Sequence, residues 1–216
     1  MCGGFMQNIQ VKIDELKSNI INKDLKQLRK NKLKAIGIDK QNNNEEEYIN
    51  KHNYYIKLAK KIKKYLEEGY EHIVDIKYDN CGKMICLVSK FSISEMEIEM
   101  PIDIRVIIGD GGDTYMDCSY YNEGEYGLLF INRFESKKLR CGYGSLILEN
   151  LDFIIENINH KLNNINLKEM KNFKYIKLVT GKSIPTKSII SQENLNKLYI
   201  MYGFEIDDKN IMKKYV

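Results

Sequence analysis

Two glycines, Gly142 and Gly144, stand between a run of strand-like residues and a run with helical apolar spacing. Glycine lets the backbone approach a ligand closely, and the first amide groups of a helix have no partner within that helix. Because these amides lie at the positive end of the helix dipole, such a turn favours an anion such as pyrophosphate. Glycines also occur here as simple turn residues, so the pair alone does not establish a site.

The residues around the two glycines differ from two common nucleotide-binding motifs. The Gly-Lys-Ser/Thr ending of a P-loop is absent, and so is the third glycine of a dinucleotide-binding fingerprint. The turn also comes late in the chain rather than after the first strand. These differences argue against both motifs.

A second motif lies near the end of the chain, where Tyr199 is followed, after three intervening residues, by Gly203 and Phe204. A tyrosine hydroxyl can act as a general acid toward a leaving group. The same residue at helical spacing is also typical of a core aromatic. The tyrosine motif becomes informative only when its distance from the glycine pair is considered.

Together the two motifs resemble those of the GNAT superfamily of N-acetyltransferases. Residues 134–145 are similar to its acetyl-coenzyme A loop, Arg/Gln-x-x-Gly-x-Gly/Ala, with Phe134 at the apolar position of the splayed central strand and Leu139 in place of the usual Arg or Gln. Residues 194–205 are similar to its final helix and turn. Gly144 and Tyr199 lie 55 residues apart, and the resemblance covers residues 113–216.

The resemblance implies direct transfer of an acetyl or other acyl group from coenzyme A to a primary amine in a ternary complex. Tyr199 would protonate the departing thiolate, and a backbone amide near Phe134 would hold the thioester oxygen. A Glu on or beside the central strand is often the base, but residues 128–133 contain no acid. The available carboxylates are Glu123, Glu125, Asp117 and Glu135, of which we name Glu125 and Asp117 as candidate bases. The implied cofactor-binding residues are Asn132, Phe134, Leu139, Arg140, Cys141, Gly142, Tyr143, Gly144, Ser145 and Asn194.

Cys141 precedes a predicted helix, a position typical of reactive thiols, so it is a candidate nucleophile by position. No histidine is near it in sequence, and we interpret it as a loop residue that faces cofactor phosphate. The five cysteines form no zinc-like spacing and the three histidines are isolated. We therefore expect free thiols and no metal.

Apolar periodicity predicts the elements that must position these residues. Helical spacing appears over 9–36, 48–66, 145–158 and 193–202, and two-residue alternation appears over 73–76, 84–88, 96–100, 102–106, 114–121 and 126–134, with later strands over 175–180 and at the end of the chain. Strands followed by a strand-helix-strand-helix-strand pattern indicate a mixed α/β (α+β) fold. With the resemblance, we expect a GNAT-like central sheet, largely antiparallel and splayed, flanked by helices.

The chain of 216 residues is long enough for one domain with an appendage. We predict a helical N-terminal extension over 1–45 and a GNAT-like acyltransferase domain over 46–216. Neither a secretory signal nor a membrane-length apolar run occurs, so we expect a cytoplasmic protein without membrane contact.

Positive charge is concentrated in residues 12–64, which contain fifteen Lys or Arg against seven Asp or Glu. We interpret this as a solvated surface, with nucleic-acid binding as the less favoured alternative. The acceptor amine stays open between a small molecule, a protein and an aminoacyl-tRNA, and a homodimer stays open too. The alternative function is a non-catalytic GNAT-fold protein that binds a partner protein or nucleic acid through its basic helical N-terminus.

Overall fold

A computed structural model describes residues 43–66, 70–92, 99–122, 124–136, 141–169, 172–185 and 190–216. The helix or helix pair predicted over 9–36 lies outside the described residues. The domain boundary predicted at residue 45 stays a prediction.

The described residues form four helices and eight strands. In chain order they are α1 (Asn43–Tyr65), β1 (Glu71–Tyr78), β2 (Met84–Phe91), β3 (Glu99–Ile107), β4 (Thr114–Tyr121), β5 (Gly127–Glu135), α2 (Tyr143–Glu149), α3 (Leu151–Glu169), β6 (Ile176–Lys182), α4 (Gln192–Met201), β7 (Glu205–Ile206) and β8 (Ile211–Tyr215). All strands join one sheet in the order β1-β2-β3-β4-β5-β6-β8-β7. Neighbouring strands are antiparallel except β5 and β6, which are parallel. The predicted mixed α/β class with a largely antiparallel sheet is confirmed.

The described residues divide into two compact units. The smaller unit contains α1 and the segment Ile108–Asp110, and the larger unit contains the sheet and the other helices. In the smaller unit Lys61 donates a hydrogen bond of 2.9 Å to the Ile108 carbonyl. A side chain on Gly109 would place its Cβ 2.4 Å from the Tyr54 carbonyl oxygen, so only glycine fits beside the helix there.

Apolar side chains cover one face of the sheet in the larger unit. Ile104, Met116 and Phe134 lie directly across from one another on β3, β4 and β5. Helix α2 contacts β3 and β4, and buries Ile147 and Leu148. Because side chains alternate along a strand, the neighbouring residues Asp103, Asp117 and Arg133 project from the opposite face, here called the polar face.

The structure corrects the prediction of two strands over 96–100 and 102–106. Residues 96–98 lie outside the described part, and Glu99–Ile107 form a single strand. Met100, Ile102, Ile104 and Val106 are all buried, so the alternation passes through Pro101 without interruption. The proline therefore does not end the strand.

The helix predicted over 145–158 is divided into α2 and α3. At the division, the Asn150 side chain donates a hydrogen bond of 2.8 Å to the Leu146 carbonyl. Asparagine side chains compete in this way for carbonyls that a continuous helix would use. The apolar spacing correctly predicted which face of the helix is buried, but it did not predict the interruption at Asn150. The two-residue strand β7 was also missed.

Candidate functional site

The parallel pair β5 and β6 is joined along only part of its length. Its register ends at Ile131 and Gly181, whereas β5 continues to Glu135. A side chain on Gly181 would bring its Cβ within 3.0 Å of the Ile131 carbonyl oxygen, so the last paired position is closely packed. Beyond it, residues 132–134 have no β6 partner among the described residues, and we call this side of the strand the free edge of β5.

The free edge begins at a β-bulge. On β4, Asp117 pairs with Arg133 and Cys118 pairs with Ile131, which leaves Asn132 as the extra residue of β5. A bulge bends its strand and changes the direction of the next side chain, and bulges are frequent beside active sites. Asn132 is exposed, and its Nδ2 donates a hydrogen bond of 2.7 Å to the Ser119 hydroxyl.

Phe134, two residues farther along the free edge, lies between α4 and residues 141–144, which we call the glycine loop. Its Cζ is 3.4 Å from the position that a Cβ on Gly144 would occupy. Its ring centroid is 6.4 Å from that of Tyr199, and the Tyr199 ring meets Phe204 edge-on at 5.4 Å. Gly144 and Tyr199, which lie 55 residues apart in the sequence, are therefore both neighbours of the Phe134 side chain.

Tyr199 is 4% exposed. Burial raises the pKa of its hydroxyl far above the ordinary tyrosine value, and the nearby Cys118 adds to that rise. No hydrogen bond joins the hydroxyl to any residue that the structure describes. The group is therefore protonated over the working pH range, and its proton has no acceptor among the described residues.

Helix α4, which carries Tyr199, is fixed at its beginning by polar contacts. Ser191 caps the helix by accepting a hydrogen bond from the Asn194 backbone amide. The fully buried Ser183, just after β6, donates a hydrogen bond of 2.6 Å to Asn196. Gln192 donates to both residues, which fixes the helix relative to the end of β6.

The glycine loop has a backbone conformation that explains its first glycine. Gly142 has φ 75°, a left-handed value, and is the N-cap of α2. Most other residues are strained in that region. The next residue, Tyr143, is buried and donates a hydrogen bond of 2.9 Å from its hydroxyl to Asp79 in the β1–β2 turn. Asp79 also accepts from the amides of Cys81 and Lys83, so it anchors the loop to a well-defined hairpin.

The remaining predicted cofactor residues lie at different places. Ser145 is half-buried in the first turn of α2, Cys141 is half-buried before Gly142, and the Asn194 side chain is exposed at the beginning of α4. Leu139 and Arg140 lie outside the described residues. The structure therefore places Gly142, Gly144, Phe134 and Tyr199 in one region and gives no position for the usual Arg/Gln site.

The two candidate bases are far apart. Asp117 lies on the polar face of β4, next to Arg133, whereas Glu125 is exposed before the first residue of β5. Phe134 follows Gly127 by seven residue steps along the strand, about 23 Å at about 3.3 Å per residue. Glu125 is thus at the opposite end of β5 from Phe134, and the structure does not bring it to Tyr199.

The environment of Asp117 favours its protonated form. Burial raises the pKa of its carboxyl, and the neighbouring Asp103 carboxylate raises it further, while Arg105 and Arg133 oppose the rise. Asp103 itself is paired with Arg105 at 2.8 Å, and Arg133 is paired with Glu135 at 2.5 Å. Both neighbouring arginines are therefore partly committed to other carboxylates.

Three contributors to this region were not found from the sequence. They are Asp79, Gly181 and the Ser119 hydroxyl, and each acts through a partner that is distant in sequence or on another strand. In the described part of the chain, His, Cys, Asp and Glu side chains form no group suited to a metal ion. No described helix is long and apolar enough to span a membrane.

Comparisons with known proteins give one structural neighbour. No protein-family model matches the sequence, and no curated protein matches it. Among solved structures, the chain is similar to one titled "Crystal structure of Anti-CRISPR protein AcrVA5", with 20% identity over 45% of this chain and 87% of that chain. The TM-score is 0.30, and a likeness of that size carries no argument about fold or function.

Proposed function

We propose that this chain is an N-acyltransferase of the GNAT type, which transfers an acetyl or other acyl group from coenzyme A to a primary amine. The observation that carries the proposal is the position of Phe134, which contacts both the Gly144 region and Tyr199 at the free edge of β5. The resemblance assigns Gly144 to the pyrophosphate loop, and Phe134 and Tyr199 to the thioester end of the same cofactor. The end of β5–β6 pairing at Ile131 agrees with the splayed sheet of that family.

The free edge of β5 suits an extended acyl carrier. Backbone amides and carbonyls on an unpaired strand edge hydrogen-bond readily to an added extended chain, as in peptide recognition by strand addition. The amide groups of a pantetheine arm offer such partners. With the pyrophosphate at the amides of Gly144 and Ser145, the arm would run along β5 toward Phe134.

The two proposed proton-transfer groups lie on opposite faces of the sheet. Phe134 and its neighbour Tyr199 are on the apolar face of the sheet, whereas Asp117 pairs with Arg133 on the polar face. The amine attacks the thioester carbon, with Asp117 accepting a proton from it through water, and Tyr199 protonates the sulfur as the carbon–sulfur bond breaks. A raised carboxyl pKa improves a base that works near neutral pH.

The experiment is calorimetric titration with acetyl-coenzyme A, comparing the unaltered chain with Ser145→Glu and Ser145→Gln. Position 145 is the third residue of α2, where glutamate favours the helix because it complements the helix dipole. The negative charge would however oppose a pyrophosphate. We expect Ser145→Glu to weaken binding at least about ten-fold, about 1.4 kcal/mol.

Ser145→Gln is the matched control, since it has the same size without the charge, and it should retain most of the affinity. Both variants should unfold at or above the temperature of the unaltered chain. An unaltered chain that binds no acetyl-coenzyme A would remove the acyltransferase proposal and favour the non-catalytic interaction protein.

A further inference from the structure

Three polar side chains form a continuous hydrogen-bonded chain across β3, β4 and β5. The Ser119 hydroxyl donates to Glu99 at 2.5 Å, and Asn132 Nδ2 donates to the Ser119 hydroxyl oxygen at 2.7 Å. Ser119 is only 3% exposed, whereas both ends of the chain are exposed. The buried hydroxyl therefore connects a surface carboxylate to the bulged residue at the beginning of the free edge of β5.

Chemistry fixes the direction of these bonds. A carboxylate only accepts hydrogen bonds, so the single Ser119 proton is donated to Glu99. The Ser119 oxygen is then an acceptor and receives the Asn132 Nδ2 group. With Nδ2 used in this way, Asn132 Oδ1 must project away from Ser119.

Asn132 Oδ1 has no donor within the described part of the chain. It is carried by the exposed extra residue of the bulge, immediately after the last β5–β6 pair at Ile131. A carbonyl oxygen held outward by a buried partner is prepared to accept a hydrogen bond without reorganising. The expected ligand group at this position is therefore an N–H or O–H donor.

We propose that Asn132 Oδ1 accepts an N–H hydrogen bond from the acceptor amine, with Ser119 and Glu99 as positioning residues. This inference rests on the proposed acyltransferase function. A neutral primary amine has one lone pair and two N–H bonds. The lone pair forms the new carbon–nitrogen bond, one proton leaves to the base, and the carbon–sulfur electron pair leaves with the sulfur, which Tyr199 protonates.

The second N–H bond stays in the amide product and is the one that Asn132 holds throughout. A secondary amine has only one N–H, which it must lose, so it has none left for Asn132. The site should therefore select primary over secondary amines. That selectivity follows from proton count and does not require a shape-selective pocket.

The test uses two probe cations with the chain saturated with coenzyme A. Butylammonium has N–H donors, and butyltrimethylammonium has the same charge and none. We expect butylammonium to shift the Asn132 side-chain amide resonances in an NMR titration and to bind about five-fold more tightly than the quaternary ion, the value of one net hydrogen bond. Asn132→Ala should remove that preference, which is a ratio of two affinities measured with the chain saturated with coenzyme A.

Positioning by Ser119 is tested with two further variants. Ser119→Ala removes the acceptor for Nδ2 and should reduce the preference for butylammonium, whereas Ser119→Thr keeps the hydroxyl and should restore it. Equal binding of the two cations, or a preference that survives Asn132→Ala, overturns the inference while coenzyme A still binds. Failure of coenzyme A to bind the unaltered chain would instead remove the proposed function together with the inference.

Discussion

Two features of the Tyr199 hydroxyl bear on its proposed role as the proton donor. Burial raises its pKa and keeps it protonated, and no described residue holds its proton in a hydrogen bond. Its ring is fixed between Phe134 and Phe204, so the hydroxyl keeps one orientation. A purely structural buried tyrosine usually pairs its hydroxyl with an acceptor.

Tyr199→Phe removes only the hydroxyl. Because no hydrogen bond within the described structure is lost, we expect unchanged or slightly higher thermal stability and unchanged acetyl-coenzyme A affinity. Turnover should fall about 100-fold, the lower range of general acid catalysis. Steady-state kinetics with a primary amine, beside calorimetry, measures both effects. Tyr202→Phe, three residues along on a half-exposed position, is the control, and an equal loss in that variant would remove Tyr199 from the mechanism.

Asp117 gives a prediction in which stability and activity change in opposite directions. Its folded-state pKa is raised, so the folded chain binds the proton more tightly than the unfolded chain does. The ionised carboxylate therefore costs stability once the pH rises through the folded pKa, and that cost disappears below the ordinary Asp value of about 4. Asp117→Asn should raise the melting temperature at pH 7 and lower turnover.

Melting curves between pH 3 and pH 8 would check this sign. The gain from Asp117→Asn should shrink steadily as the pH falls through the folded pKa toward the ordinary Asp value. A loss of stability at pH 7 in Asp117→Asn would mean that the carboxylate is structural.

Strands and helices were predicted best where the signal is local. The alternation over 114–121 predicted β4 residue for residue, because each side chain there alternates between the two faces of the sheet. The break at Asn150 was missed, since a side-chain bond to a carbonyl four residues earlier leaves the apolar spacing unchanged. Periodicity reports which face is buried and says little about where a helix is interrupted.

Pairing between segments that are distant in the chain could not be predicted from the sequence. Nothing local to Gly181 indicates that its missing side chain meets Ile131, or that pairing of β5 and β6 ends there. The bulge at Asn132 likewise depends on the register with β4. The glycine loop and Tyr199 were identified from motifs, but their meeting at Phe134, and the failure of Glu125 to join them, depend on the assembled sheet.

At the scale of the whole molecule, the division into two compact units lets a substitution in the smaller unit lower the stability of the chain without altering the proposed coenzyme A site in the larger unit. Gly109→Ala would place a Cβ 2.4 Å from the Tyr54 carbonyl oxygen in the smaller unit, a backbone clash that cannot be relieved by a side-chain rotation. We expect the free energy of unfolding to fall by about 1–3 kcal/mol. Acetyl-coenzyme A affinity should persist, because Phe134, Gly144 and Tyr199 all belong to the larger unit.

Urea unfolding followed by circular dichroism measures that loss. Gly144→Ala is the stability control, since its Cβ would meet Phe134 at 3.4 Å without a backbone clash, and alanine favours a helix over glycine. Equal stability losses in the two variants would show that the Tyr54 contact is not what makes Gly109 necessary.

The hydrogen bond between Tyr143 and Asp79 connects the β1–β2 turn to the glycine loop, so a change in the loop's conformation should also change the turn. Asp79 accepts from the Cys81 amide as well as from the Tyr143 hydroxyl, so any change in the loop reaches a turn whose cysteine is exposed and free. An environment-sensitive dye attached to Cys81 would lie outside the glycine loop but would be linked to it through the two hydrogen bonds that Asp79 accepts. Coenzyme A binding at the loop would then be measured as a change in the dye's fluorescence emission. Neither a labelled ligand nor a tryptophan, which the chain lacks, would be needed.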